Sequence, residues 1–150
     1  MLRQVTPNLL QHLANLIHGE EGCKLTSYLD QGGVWTIGWG HTQGVSEGMT
    51  CTQEQANAWF QENLHDAEGY VQYYVHVLLN DNQFAALVSL VYNIGAGNFS
   101  HSTLLKDLNN NDFADAASQF LVWDLVDGEK NAGLSARRHA EQALFLTPME

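Results

Sequence analysis

Glu20-Glu21-Gly22-Cys23-Lys24-Leu25-Thr26-Ser27-Tyr28-Leu29-Asp30-Gln31-Gly32-Gly33-Val34-Trp35-Thr36-Ile37-Gly38-Trp39-Gly40-His41-Thr42 is the stretch whose pattern decides the fold. Gln31-Gly32-Gly33 reads as a hairpin loop, with Tyr28 to Asp30 entering it and Val34 to Gly38 leaving. An antiparallel return brings Asp30 at the turn and Thr36 on the second strand to one wall of a groove. Glu21, delivered from the end of a preceding helix, can supply the opposite wall.

Two carboxyls facing each other across a groove are what glycoside hydrolysis requires. One stays protonated and gives its proton to the leaving oxygen; the other stays ionised to activate water or to stabilise positive charge. Taken alone, a Glu and an Asp near a Gly-Gly turn are commonly solvated surface charges. The run Thr36-Ile37-Gly38-Trp39-Gly40-His41 is more specific. With Glu21-Gly22, Leu25, Tyr28, Asp30 and Gly33 it resembles the catalytic segment of phage-type lysozymes, glycoside hydrolase family 24.

Outward from that segment the chain reads as helices. Thr6-Pro7 opens the first, with Thr as N-cap and Pro at the first helical position. Leu9, Leu10, Leu13, Leu16 and Ile17 recur at helical spacing, leaving His12, Asn15 and His18 outside, and Gly19 stops it. After His41 a third short strand is expected near Val45. Thr52-x-x-Gln55 is a capping box starting a long helix whose apolar face runs Ala56, Trp59, Phe60, Leu64, Ala67, Tyr70, Val71 and Tyr74. Asn80-Asp81-Asn82 caps the next helix, with Phe84, Leu87, Val88 and Val91 as its core face. Short helices follow from Ser102 and Asp112.

Resemblance to the family continues through Asn82-Gln83-Phe84-Ala85-Ala86-Leu87-Val88-Ser89, Tyr92-Asn93-Ile94-Gly95 and the tail Gly133-Leu134-Ser135-Ala136-Arg137-Arg138-His139-Ala140-Glu141. It implies one lysozyme domain over 1–150, mainly α within an α+β class. A small hairpin lobe (about 20–52) and a larger helical lobe (about 75–150, plus the N-terminal helix 6–18) are joined by the long helix (about 52–74), with the cleft between. It implies Glu21 as general acid, with Glu20 as its neighbour and rival. Asp30 stabilises the oxocarbenium charge, and Thr36 holds the attacking water. Asn93, Trp123, Gly133, Leu134, Arg137 and Arg138 are the expected substrate contacts, one arginine pairing with Glu21. His41 is expected to tie the hairpin down, facing Asn63 where relatives offer an Asp.

The activity so implied is muramidase cleavage of the β-1,4 bond between N-acetylmuramic acid and N-acetylglucosamine, by inversion, in bacterial lysis. A non-catalytic wall-binding protein of the same fold would not need Glu21, Asp30 and Thr36 together. No cofactor and no metal are implied, and the seven His show no metal-ligand spacing.

Composition limits the partners. The net charge of −11 argues against nucleic acid, which calls for a basic stripe. No run is apolar enough to insert stably in a membrane, and the first residues do not read as a secretory signal. The expectation is a monomer made in the host cytoplasm and acting on periplasmic glycan strands, reaching them through a holin or a membrane breach. Cys23 and Cys51 are read as free thiols.

Overall fold

The computed structural model of the protein describes residues 3–19 and 22–149. Helix α1, Pro7–His18, starts where expected, but the Thr6 hydroxyl makes no capping bond. The Thr6 carbonyl carries the start instead, accepting from the N–H groups of Leu9 and Leu10 at 3.0 Å. Leu13 and Ile17 form its buried face.

Strands β1, Lys24–Leu29, and β2, Trp35–Gly38, pair antiparallel, with Tyr28 opposite Thr36 and Leu29 opposite Trp35. The Asp30 N–H donates to Val34 O and the Gly33 N–H to Asp30 O, both at 3.0 Å, closing a loop over residues 31–33. Gly38 at the end of β2 allows a close approach: a Cβ there would lie 3.1 Å from the Ala56 Cβ of the following helix. The strand expected near Val45 does not form. The chain turns at Gly44 and Gly48 and comes back beside β1, where Thr50 bridges Thr26. Ser27 N–H to Met49 O and Cys51 N–H to Leu25 O, at 2.8 and 2.9 Å, complete that edge.

Helix α2, Gln53–Tyr74, begins with Thr52 Oγ1 accepting from the Gln55 N–H at 3.1 Å. Such a cap is worth about 1 kcal/mol. Ala56, Phe60, Leu64, Ala67 and Val71 are buried at helical spacing. Tyr70, expected on that face, is 43% exposed, and the unexpected resident is Glu68 at 3%. Its burial is offset by two partners: the Val5 N–H at 2.6 Å and His65 Nδ1 at 2.8 Å. These bonds strap the segment before α1 onto α2.

Helix α3, Asp81–Ser100, carries a full capping box between Asn80 and Gln83. Every residue from Phe84 to Val91 is buried. A helix apolar on all sides belongs at the centre of a bundle, and α1, α2 and a C-terminal helix pack around it. Gly95, at φ 85° and ψ 161°, interrupts the helix and re-aims its last turn. No side chain other than glycine adopts that backbone readily.

Helices α4, Thr103–Asn109, and α5, Phe113–Gln119, start at Ser102 and Asp112, each accepting from the third residue on. A 3-10 turn, Phe120–Val122, leads to a two-residue hairpin, β3 Leu125–Val126 and β4 Glu129–Lys130. Its turn is Asp127-Gly128, both left-handed at φ 50° and 82°, which is what a tight hairpin needs. Helix α6, Ala132–Leu146, then returns to pack on α3, with Asn131 as N-cap. Among the described residues the architecture is mainly helical α+β with two small antiparallel sheets.

Candidate active site

A cleft of about 1240 Å³ lies between the end of α1, the tip of the β1–β2 hairpin, the kinked end of α3, and the stretch from Val122 into α6. Of the residues singled out from sequence, Asp30, Asn93, Trp123, Gly133, Leu134 and Arg137 line it. Thr36 and Arg138 are not among its lining residues; both are buried. Glu21 and its rival Glu20 lie outside the described residues.

Asp30 is fixed by its own loop. Its Oδ1 accepts from the N–H of Gly32 at 2.9 Å and of Val34 at 2.8 Å. Both bonds fall on one oxygen, so the turn leaves Oδ2 unengaged. Thr36 shares a face of the hairpin with Asp30, since residues opposite or two apart in an antiparallel pair project to the same side. The Thr36 hydroxyl donates to Val34 O at 2.8 Å. One peptide residue, Val34, thus holds both side chains, and Thr36 Oγ1, its proton committed, keeps lone pairs for accepting.

The facing wall is built on buried charge. Arg138 is fully buried, with Nε 2.7 Å from Glu141 Oε1, Nη2 3.2 Å from Oε2, and Nη1 donating to Asn93 Oδ1 at 2.9 Å and Trp123 O at 3.3 Å. Burial pushes its pKa down to about 10, opposed by Glu141 and Asp124, so the guanidinium is charged at neutral pH. Arg137 reaches the cleft surface while its Nη2 donates to Ser89 O at 2.7 Å and its Nε to Glu141 Oε2 at 3.2 Å. The Ser89 hydroxyl donates to the same carboxylate. Four groups on α3 and α6 therefore lock together and set where Asn93 and the Trp123 backbone stand.

His41 is placed away from the cleft, in a separate pocket of about 200 Å³ with Asn63, Asp66 and Tyr92. Asn63 Nδ2 donates to its Nδ1 at 3.1 Å, and the ring stacks on Trp59 at 4.4 Å with planes 4° apart. Its backbone exchanges two bonds of 2.9 Å with Ile37. His41 thus ties the end of the hairpin to α2, the role its sequence position suggests. Burial lowers its pKa, partly opposed by the Gln43 backbone and Glu62.

Sequence patterns did not point to His18, Gln31, Asn98 or Asn131, all of which line the cleft. For Asn131 the signal was present: an Asn just before an apolar periodic run is an N-cap, and its Oδ1 accepts from the Leu134 N–H at 2.9 Å. For His18 the helical period points the wrong way. Among the described residues no group of three His, Cys, Asp or Glu could hold a metal ion, and no helix is long and apolar enough to cross a membrane. Cys23 and Cys51 are free and half-buried.

The family model described as phage lysozyme matches residues 18–141. The endolysin of Acyrthosiphon pisum secondary endosymbiont phage 1 is 41% identical over 134 residues, 87% of this chain and 92% of that protein. The endolysin of Salmonella phage P22 is 41% identical over 133 residues, 85% of this chain and 90% of that one. Among solved structures, the muramidase domain of SpmX from Asticaccaulis excentricus superposes with a TM-score of 0.79 at 32% identity, covering 97% of this chain and 100% of its own.

Proposed function

This chain belongs to the phage lysozyme family, and on that premise we propose that Glu21, Asp30 and Thr36 carry its chemistry. The chain is a lysozyme-type glycoside hydrolase that degrades peptidoglycan. The bond we assign is the β-1,4 link between N-acetylmuramic acid and N-acetylglucosamine. Glu21 protonates the glycosidic oxygen as the bond lengthens. Asp30 offers Oδ2 to the positive charge that develops on the sugar. Thr36 Oγ1 accepts from the water that attacks the opposite face. Inversion follows if the carboxyls stand about 6.5–9.5 Å apart, leaving room for that water.

The observation that carries the assignment is Asp30 itself. It sits on the rim of the large cleft with one oxygen tied to two backbone N–H groups and the other free of the turn. Asn93, Trp123, Gly133, Leu134 and Arg137 provide the wall along which a glycan strand lies, and Arg138 serves substrate binding from behind by holding Asn93 and Trp123. The small lobe at about 20–52 and the helical lobe at about 75–150 with α1 form the two sides, joined by α2. The enzyme acts on the bacterial wall. We assign it synthesis in the host cytoplasm as a monomer and passage to the periplasm through a holin or membrane breach, with no nucleic-acid partner.

Lysis of permeabilised Gram-negative cells tests the assignment. Glu21→Gln, nearly isosteric but unable to donate the proton, loses lysis while retaining its circular dichroism; Glu20→Gln does not. Asp30→Asn preserves the acceptor for Gly32 and Val34, so it folds normally and loses on the order of 100-fold or more in rate. Wild-type lysis by folded Glu21→Gln would overturn the assignment. The anomer released, read by proton NMR before mutarotation, decides inversion.

A further inference from the structure

The last residue of α1 is not the outward-facing side chain its period suggests. The His18 ring lies flat on the Trp39 indole, centroids 3.8 Å apart and planes 18° from parallel. It meets Phe60 of α2 edge-on at 4.6 Å. The edge-on contact is a geometry that aromatic quadrupoles favour, and the face-on contact covers one side of the ring with apolar surface. Trp39 is in turn held from two sides. Its Nε1 donates to Asn57 Oδ1 at 2.8 Å, and its carbonyl accepts from Tyr92 Oη at 3.1 Å. The end of α1, the exit of the hairpin, α2 and α3 all meet at this stack.

His18 Nε2 is buried and has no hydrogen-bond partner among the described residues. A buried nitrogen without a partner is unfavourable, so the ring is held there by its stacking faces rather than by its polar atoms. Gly19 and Gly22 are both left-handed, at φ 54° and 67°, and a Cβ on either would meet nothing within 4 Å. Glu21 stands between them, three residues after His18. Among the described residues this ring is the last side chain before Glu21, and it also lines the cleft.

We propose that His18 is a positioning residue for the general acid: its stack on Trp39 and Phe60 fixes the end of α1, from which the chain carries Glu21. This rests on Glu21 being the acid. A small displacement of a reacting group costs a large factor in rate with little effect on binding, on the order of 100-fold for 1 Å. Substitutions at His18 therefore act on kcat and leave the half-saturating substrate concentration alone.

The experiment compares His18→Ala, His18→Leu and His18→Phe with wild type on soluble peptidoglycan strands, measuring initial rate against concentration, with melting temperature recorded in parallel. His18→Phe keeps the stack and stays within about threefold of wild type in kcat. His18→Leu fills the space without a ring and, like His18→Ala, loses about 10- to 100-fold in kcat with KM within twofold. If His18→Ala does not fold, His18→Leu carries the comparison. Wild-type kcat in folded His18→Leu would overturn the proposal, leaving the ring a packing element. A His18→Phe as slow as His18→Leu would overturn it too, because the nitrogen rather than the stack would then matter. Glu21→Gln is measured alongside: if that variant is active, the catalytic assignment fails on its own, whatever His18 does.

Discussion

Asn131 Nδ2 donates a hydrogen bond to Gln31 Oε1, joining two residues 100 positions apart across the mouth of the cleft. Gln31 stands at the tip of the hairpin beside Asp30, and Asn131 at the start of α6. The same Asn131 side chain caps α6 through its Oδ1, and its backbone N–H donates to Asp124 O at 2.8 Å. One side chain thus starts the helix that carries Arg137 and also holds the hairpin tip against it. Both residues line the cleft, so this single amide couples the hairpin tip to the wall that α6 builds.

Two substitutions separate the functions of Asn131. Asn131→Asp keeps the cap acceptor and loses the donor to Gln31; Asn131→Ala loses both. The alanine variant is less stable by about 1 kcal/mol in urea unfolding, while the aspartate variant stays near wild type. Amide hydrogen exchange over residues 30–34 is faster in both, because both free the hairpin tip. Unchanged exchange there in Asn131→Asp would show that the cross-cleft bond does not restrain the hairpin.

The helices were legible because each carries its own start signal and period: Thr52 before α2, Asn80 and Gln83 around α3, Ser102 and Asp112 before the short helices. The hairpin was legible from its glycines and alternation. Asp30 and Thr36 stood out because the same local pattern that makes the turn also places them on one face. What escaped was set by contacts between distant segments. His18 faces inward because Trp39 offers it a stacking surface, and Glu68 is buried because Val5 and His65 meet it. Val45 is no strand because the chain turns at Gly44 and Gly48 before it can pair. The paired Arg137 and Arg138 were read as one cleft-side motif, yet one lines the cleft and the other is sealed behind it.

That sealed residue gives the second prediction. Arg138 and Glu141 are both at 0% exposure, and each is the other's main source of compensation. Glu141→Gln keeps the shape and an acceptor for the Ser89 hydroxyl but removes the charge, leaving the Arg138 guanidinium buried without it. Breaking such a pair from one side costs about 3–5 kcal/mol. Denaturant unfolding reads this directly. Arg138→Met combined with Glu141→Leu recovers most of the stability because no lone charge remains. It does not recover activity, since Asn93 and the Trp123 carbonyl lose the donor that positions them. A double variant as active as wild type would show that those two bonds are dispensable.

Acidity acts on two histidines in the same direction. Burial lowers the pKa of His18, and it lowers that of His41 despite opposition from the Gln43 backbone and Glu62. A folded-state value below the unfolded reference of about 6.5 means that the unfolded chain takes up the proton first as pH falls. The stability tied to these rings is therefore fully present above about pH 6.5 and is lost as the pH drops from there through the lower folded values. Melting temperature should decline between pH 7.5 and 5, and the decline should be shallower in His18→Phe, which cannot take up the proton but keeps the stack. Loss of lysis in acid by this route follows loss of the fold, so it depends on temperature. Far below the melting transition the initial rate is maintained from pH 7.5 to 5.5; near the transition it falls as the pH drops. A melting temperature that is flat or rises toward pH 5 would mean that neither ring is held in its neutral form by the fold.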